Sequence, residues 1–355
     1  MYVFWRAAST PAIAQFLSPL FLLIMAVILW ASLLLTRFLE RPGTELIAGP
    51  VELISMNWLG LLFFLFVCLF AADLFTGFGF LFPRLAPILR AAALGAGVGL
   101  SIIALVQGIR SPVVSDHEIR LAGLPAEDDG LQIAVVSDLH LSHFPGEKWL
   151  AARVAQVNAL HPDLIILLGD IIEGHRDNEC NKEIVTLLRD FSAPLGVWAV
   201  TGNHEFYSGL DAALRFLDEA GIKVLRNEWS EVRPGLILAG IDDYAGHRQP
   251  ADTANLVRQA FADRPAGAAT IFLSHRPQRM EEAAAAGAGL MLCAHTHGGQ
   301  IWPFGYISAL FNPLLVGRYE IDGMPVIVSR GTGTWGPRMR LWSRGEILRI
   351  TLRSR

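Results

Sequence analysis

The sequence predicts apolar membrane-spanning helices at the N-terminus followed by one α/β domain, and three observations carry that prediction. Mean hydropathy is +0.41, with 52% hydrophobic and only 17% charged residues in 355, which is too apolar for an ordinary soluble chain. The excess is confined to residues 1–110. Beyond it, short runs of branched apolar residues alternate with helical patterns, as in layered α/β structure.

Within the first region, 13–35 and 53–72 contain no charged residue, and 91–109 contains none after Arg90. Each run approaches the roughly 20 residues a spanning helix needs, which places three spans at 12–37, 53–75 and 88–109. Charges stand only at the borders (Arg37, Glu40, Arg41, Arg84, Arg90, Arg110), a pattern that fits a bilayer better than buried helices of a large soluble core. The first run is too long, and too far from any small-residue cleavage pattern, for a signal peptide; it is expected to stay in the mature protein. Asp73 is the one acid within 53–82. A charge at mid-bilayer is costly, so either the second span ends there or Asp73 faces a polar interior; Thr76, Gly77 and Gly79 just after it favour the end.

Three spans would put the N-terminus and the C-terminal domain on opposite faces. The loop arginines (Arg6, Arg84 and Arg90 on one side; Arg37, Arg41, Arg110 and Arg120 on the other) do not decide which face is which. Cys68, Cys180 and Cys293 demand no disulfide framework, which leans toward a reducing compartment and a cytoplasmic domain on an inner membrane. A net charge of -4 offers no basic face for nucleic acid. No obligatory protein partner is evident, and the partners expected are the lipid bilayer and a phosphorylated substrate.

Residues 111–130, with Pro112, Pro125 and the turn at 126–130, read as a linker. The domain proper is then 131–355. Apolar runs at 131–136, 164–168, 197–200, 236–239, 270–273, 290–292, 326–328 and 347–352 lack alternation, which suits strands buried on both faces. Helical patterns fall at 147–160, 181–191, 210–220, 253–262 and 279–286. In α/β sheets ligands collect beyond the C-terminal ends of strands, and there the chain carries Ser137-Asp138-Leu139-His140, Gly169-Asp170, Gly202-Asn203-His204-Glu205, Ser274-His275, and His295-Thr296-His297 leading into Gly298-Gly299-Gln300.

One Asp-x-His tripeptide means little, but this ordered series looks like the ligand set of a two-metal phosphoesterase. Hydrolysis of a phosphate ester brings an oxygen nucleophile to an anionic phosphorus and stabilises a charged leaving oxygen, and two nearby cations can serve both needs. Mixed imidazole, carboxylate and amide ligands suit two divalent ions of Mn, Fe or Zn better than Ca. Asp170 is the natural bridge, because one carboxylate presents two oxygens. Taken singly, Asp138 or Asp170 would read as a helix N-cap, and His295 and His297 as satisfied strand-end histidines.

With these residues in order, the chain resembles the calcineurin-like metallophosphoesterase superfamily, in its membrane-anchored bacterial branch, from about residue 131 to the C-terminus. The resemblance implies a β-sandwich core flanked by helices. It also implies that Asp138, His140, Asp170 and His297 hold one metal and that Asp170, Asn203, His275 and His295 hold the other, with His204 protonating or stabilising the leaving oxygen. One departure stands out: Ala294 occupies a position where the family usually has glycine. If that position needs positive φ, alanine is strained by about 1 kcal/mol.

Other residues carry two readings each. Glu173 and Glu205 stand near ligands as orienting groups or as solvated carboxylates. His143, His161, His175 and His247 match no block and read as ordinary surface or supporting residues. Asp242-Asp243 reads as a turn. Trp302 opens an aromatic, Pro-broken stretch (301–316) that either lines an acyl-chain groove, touches the bilayer or packs as a core loop. Arg338 and Arg340 are candidate contacts to a second phosphate or a carboxylate, or plain surface arginines. Confining enzyme and substrate to one thin layer raises effective concentration, so a lipid-linked phosphate or pyrophosphate, such as one resembling UDP-2,3-diacylglucosamine, is the expected substrate class. Soluble phosphodiesters such as cyclic nucleotides are the alternative, and a non-enzymatic membrane sensor is the remote one.

Overall fold

The computed structural model describes residues 1–39, 45–142, 146–174, 178–246 and 255–354. Glu40, Arg41, His143, His175 and His247, named above, lie outside the described residues. The chain divides into two units, one formed by Met1–Arg110 with Gly336–Leu341 and the other by Ser111–Trp335 with Trp342–Arg355.

The first unit is helical. Three of its helices are long and apolar enough to cross a membrane, over Pro19–Thr36, Ile47–Phe75 and Ala86–Gly108. The first starts later than the run of apolar residues suggested, because Pro19 sits in its first turn and Ser18 caps it by accepting from the Phe21 N–H at 3.2 Å. Ahead of it, Tyr2–Ala8 and Pro11–Ala14 form short helices. The helix Glu45–Phe75 ends two residues past Asp73, so the second span does end there. Asp73 nonetheless avoids water: it is fully buried and held by Arg6 Nε at 2.5 Å, Arg90 Nε at 2.7 Å and the Tyr2 hydroxyl at 2.5 Å. A buried charge survives only with partners of this kind.

Gly336–Leu341 lies among these helices. The Arg338 N–H donates to Asn57 Oδ1 and the Arg340 N–H to the Ala104 carbonyl, both at 2.9 Å. Gly108 permits that approach, since a Cβ there would fall 2.2 Å from the Arg338 carbonyl oxygen.

The second unit holds two six-stranded sheets. In chain order the strands are β1 (Val113–Leu121), β2 (Gln132–Val136), β3 (Leu164–Leu168), β4 (Val197–Val200), β5 (Lys223–Val224), β6 (Glu228–Arg233), β7 (Leu236–Gly240), β8 (Ala269–Leu273), β9 (Leu290–Cys293), β10 (Gly317–Ile321), β11 (Met324–Val328) and β12 (Glu346–Ser354). One sheet runs β1-β12-β2-β3-β4-β5 and the other β10-β11-β9-β8-β7-β6. Their inner faces meet in one core, where Ile133, Val135, Ile166 and Ile350 of the first sheet pack with Leu238, Ile271, Leu292 and Ile327 of the second.

Alternate residues of the same strands point outward. Ala134, Val136, Ile165 and Leu167 are covered by helices Glu147–Asn158, Asn178–Arg189 and Leu210–Glu219; Ala239, Phe272 and Met291 are covered by Leu256–Ala260 and Met280–Ala285. The result is a β-sandwich with helices on both outer faces, and the unbroken apolar runs follow from burial on both sides. One expectation is corrected: 111–130 is not simply a linker, because β1 pairs in parallel with β12 along nine residues. Its alternating charges, Asp116, Glu118 and Arg120, are those of a strand at a sheet edge with one exposed face.

Candidate metal centre

Every expected ligand stands just past the C-terminal end of a strand: Asp138 and His140 after β2, Asp170 after β3, Asn203 after β4, His275 after β8, and His295 and His297 after β9. Neighbours β2, β3 and β4 are parallel, as are β8 and β9, so both sheets deliver side chains to one end of the sandwich. The backbone turns sharply there. Asp138, His140, Asp170, His295 and His297 all adopt positive φ, between 45° and 71°, a conformation that costs a non-glycine residue about 1 kcal/mol or more and persists where the surroundings enforce it. Ala294 is not among the positive-φ residues; the strained position is His295, at 71°, so the departure at Ala294 carries no backbone penalty.

The ligand atoms form three overlapping groups, Asp138–His140–His297, His140–Asp170–His204 and Asp170–His275–His295, each with its atoms within 4.8 Å of one another. His140 joins the first group to the second, and Asp170 joins the second to the third through a single oxygen. Its Oδ2 lies 3.8 Å from His140 Nε2 and 3.1 Å from His275 Nε2, while its Oδ1 accepts from the His204 N–H at 2.9 Å. His140 Nε2 and His297 Nε2 are 3.1 Å apart, and His297 Nε2 is 3.4 Å from Asp138 Oδ1. His275 Nδ1 pairs with the Leu168 carbonyl at 2.7 Å, which turns Nε2 toward Asp170.

Two glycines make room for the shared carboxylate. A Cβ on Gly202 would lie 2.2 Å from Asp170 Oδ1, and one on Gly169 would lie 2.5 Å from the Gly202 nitrogen.

The electrostatics follow from burial and pairing. Burial opposes charge on His275, but the adjacent Asp170 carboxylate overrides it and lifts the imidazole to about 10. Asp170 is held well below the usual carboxylate range by His275 and His140 against its own burial. Burial, reinforced by positive His275 and Arg276, pushes His295 down to about 2. His204 is lowered by burial, and Asp138 is raised by it.

Two carboxylates support these residues. Glu173 is 3.3 Å from His140 Nδ1 and 3.5 Å from His204 Nδ1. Glu205 is fully buried and accepts four backbone N–H bonds, from Asp170 (2.9 Å), Ile171 (2.7 Å), Ile172 (3.1 Å) and Gly202 (2.6 Å), so it ties the β3 turn to the β4 turn. Asp242 accepts from the Thr201 hydroxyl at 2.9 Å and pairs with Arg226, and Asp243 pairs with Arg276 at 2.7 Å; these acids brace neighbouring loops.

Sequence reasoning gave residues 331–335 no role of their own. Thr332 and Gly333 donate backbone N–H bonds to the carbonyls of Ser137 and Asp138, and the Trp335 ring lies 6.2 Å from that of His204. The spaced glycines Gly331 and Gly333, beside Asp138, were the available signal.

Trp302 is exposed, with its ring 5.2 Å from that of Trp342. Arg338 and Arg340 belong to Gly336–Leu341, the segment grouped with the helical unit, and Arg340 is buried. His161 is exposed on a loop.

The donor set suits divalent cations. Asn203 Oδ1 and both carboxylate oxygens of Asp138 are buried with no hydrogen-bond partner, an arrangement that is costly in an apolar interior and that cation coordination would satisfy.

Comparison with known proteins agrees with this geometry. Residues 131–299 match the model of the calcineurin-like phosphoesterase family. A metallophosphoesterase of Aquifex aeolicus is 33% identical over 68% of this chain and 92% of its own length. The transmembrane protein with metallophosphoesterase domain of Danio rerio is 32% identical over 72% of this chain, and a metallophosphoesterase of Bacillus subtilis is 28% identical over 75% of this chain and 94% of its own. The chain therefore belongs to the calcineurin-like phosphoesterase family, whose members use a dinuclear metal site. It spans about 60% of the length of the Danio rerio and Bos taurus relatives it matches.

Proposed function

We propose that this protein hydrolyses phosphoester or pyrophosphate bonds at a dinuclear metal centre and that its substrate is lipid-linked. The observation that carries the chemistry is the sharing of Asp170 Oδ2 between His140 on one side and His275 on the other. Asp138, His140, Asp170 and His297 would hold one cation, and Asp170, Asn203, His275 and His295 the other. Nitrogen, carboxylate and amide donors together favour Mn, Fe or Zn. When bound, the cations supply Lewis acidity toward a phosphoryl oxygen and lower the pKa of water.

The chain's own residues supply the rest. Glu173 lies beside Nδ1 of His204 and so leaves Nε2 as the atom that exchanges a proton with the leaving oxygen, a contribution typically worth about 10²- to 10⁴-fold. Tyr207 and Trp335, with rings 5.5 and 6.2 Å from that of His204, border that imidazole.

The lipid-linked part rests on the three apolar helices of the same chain, which confine a membrane substrate and the site to one layer; a UDP-diacylglucosamine-like pyrophosphate is the leading candidate. Location in the inner membrane with the second unit in the cytoplasm belongs to the same proposal and is tested by a reporter fused to the C-terminus. The deciding experiment assays the purified protein with each metal on UDP-diacylglucosamine, phosphatidyl and polyprenyl phosphates, and a chromogenic phosphodiester. Turnover of the lipids at rates well above the chromogenic compound supports the reading; turnover confined to soluble diesters, undiminished without detergent, replaces it with the soluble alternative.

A further inference from the structure

The second unit carries an exposed apolar surface built directly onto its metal-ligand segment. Residues 301–316 contain no charged side chain. Within them lies the short helix Phe304–Ser308, and Tyr306, Leu310 and Phe311 are 72%, 78% and 77% exposed, with Trp302, Ile307 and Trp342 also open to solvent. Single exposed hydrophobic residues are ordinary, but six together, three of them aromatic rings of Trp or Tyr, mark an interaction surface. The surface packs against the ligand segment: a Cβ on Gly299 would fall 2.2 Å from Gly305 Cα, and the Thr296 hydroxyl, between His295 and His297, donates to the Leu315 carbonyl.

We propose that Tyr306, Leu310, Phe311 and Trp342 form an interfacial membrane anchor that enters the headgroup region of the bilayer crossed by the helices of the same chain, and so holds the His295–His297 segment at the lipid surface. Covalent connection favours this occupant over a soluble protein or a second copy. The last apolar helix ends at Gly108 and β1 begins at Val113, and four intervening residues reach at most about 14 Å when extended. The chain passes between the units again at Trp335–Gly336 and at Leu341–Trp342, and Trp342, the first residue after that second passage, belongs to the surface. The composition matches as well, since Trp and Tyr concentrate at membrane interfaces and aliphatic residues beside them enter the acyl boundary. No carboxylate in the stretch would be repelled by anionic headgroups.

The use of this anchor rests on the lipid-phosphoesterase reading, but its test does not. The full chain, with Cys68 and Cys180 replaced by serine, is labelled with a fluorophore at Leu310→Cys and, separately, at exposed Glu228→Cys on β6, and is reconstituted into phosphatidylcholine and phosphatidylglycerol vesicles with or without doxyl-labelled acyl chains. The expected result is about a twofold or greater loss of fluorescence at position 310 with doxyl lipid, as for a group within about 5–10 Å of the acyl boundary, and little change at 228. No quenching at 310, equal quenching at both positions, or a signal change at 310 that follows protein concentration instead of doxyl lipid (a second copy) overturns the proposal.

As a second arm, the Tyr306→Ser, Leu310→Ser, Phe311→Ser triple variant should lose about tenfold or more of its turnover of a long-chain lipid phosphate in vesicles while cleaving a water-soluble chromogenic phosphodiester at the wild-type rate. An unchanged lipid rate again refutes the anchor. If wild type cleaves neither substrate, the phosphoesterase reading fails and the quenching measurement alone decides the anchor.

Discussion

Glu205→Gln tests whether the shared carboxylate is held in place from behind. Glu205 Oε1 accepts from the Ile171 and Ile172 N–H groups, and Oε2 from those of Asp170 and Gly202, at 2.6 to 3.1 Å. Glutamine keeps the volume but replaces one oxygen with an amide group, so whichever way it sits, two of the four buried N–H groups lose their acceptor and face another donor. At about 1–3 kcal/mol for each unsatisfied buried donor, the substitution costs roughly 2–6 kcal/mol locally. The cheapest relief is for the turns after β3 and β4 to separate, which carries Asp170 and Asn203 away from the histidines. Supporting contacts of this kind typically change metal affinity by about 10- to 100-fold, and the loss expected here lies in that range. The assay is cation content by elemental analysis after equilibration with buffered free metal, together with hydrogen exchange at the Asp170, Ile171, Ile172 and Gly202 amides, two of which should exchange faster. If the variant binds both cations with wild-type affinity and its amides stay protected, the buried carboxylate does not position the bridge and the reasoning fails.

His204→Ala should retain metal and lose about 10²- to 10⁴-fold in turnover, whereas Asp170→Asn should lose metal as well; equal metal loss in both, by elemental analysis, contradicts the division of roles. Gly202→Ala, whose Cβ would lie 2.2 Å from Asp170 Oδ1, should also lose metal, while Gly146→Ala, where nothing lies within 4 Å, should not; like behaviour of the two in a metal titration counts against the packing argument. Because His275 titrates at about 10 through its contact with Asp170, it must shed a proton to become a ligand, so metal affinity measured between pH 7 and pH 9 should rise by up to about tenfold per unit. The sign for the metal-stripped protein is opposite: the folded pKa is raised above the ordinary 6.5, so the stabilising His275–Asp170 pair is fully present below about pH 6.5 and is lost as pH rises through about 10. Affinity that is flat across pH 7–9 would show that His275 is already neutral in the free site.

The parts of this molecule that were legible from sequence are those whose cause is local. Asp138, Asp170 and Asn203 could be placed at strand ends because β2, β3 and β4 are buried on both faces and read as unbroken apolar runs. The strand β1 escaped notice because its outer residues are charged, and only its pairing with β12, more than 200 positions away in the chain, gives it a reason to be extended. The same limit explains the two arginines. Arg338 and Arg340 read from sequence as anion contacts or as plain surface arginines, and the backbone N–H bonds that set their segment among the apolar helices run to Asn57 and Ala104, far away in the chain. Glu205 stands between these cases. Its place beside Asn203 and His204 made an orienting role a fair expectation, but what it orients, the turn 35 residues earlier that carries Asp170, is visible only in the fold. Local sequence thus names the atoms that can bind metal, while their spacing depends on contacts between distant segments. A variant altered only at such a distant contact, with every ligand intact, is therefore the sharper test of the site, and Glu205→Gln is that variant.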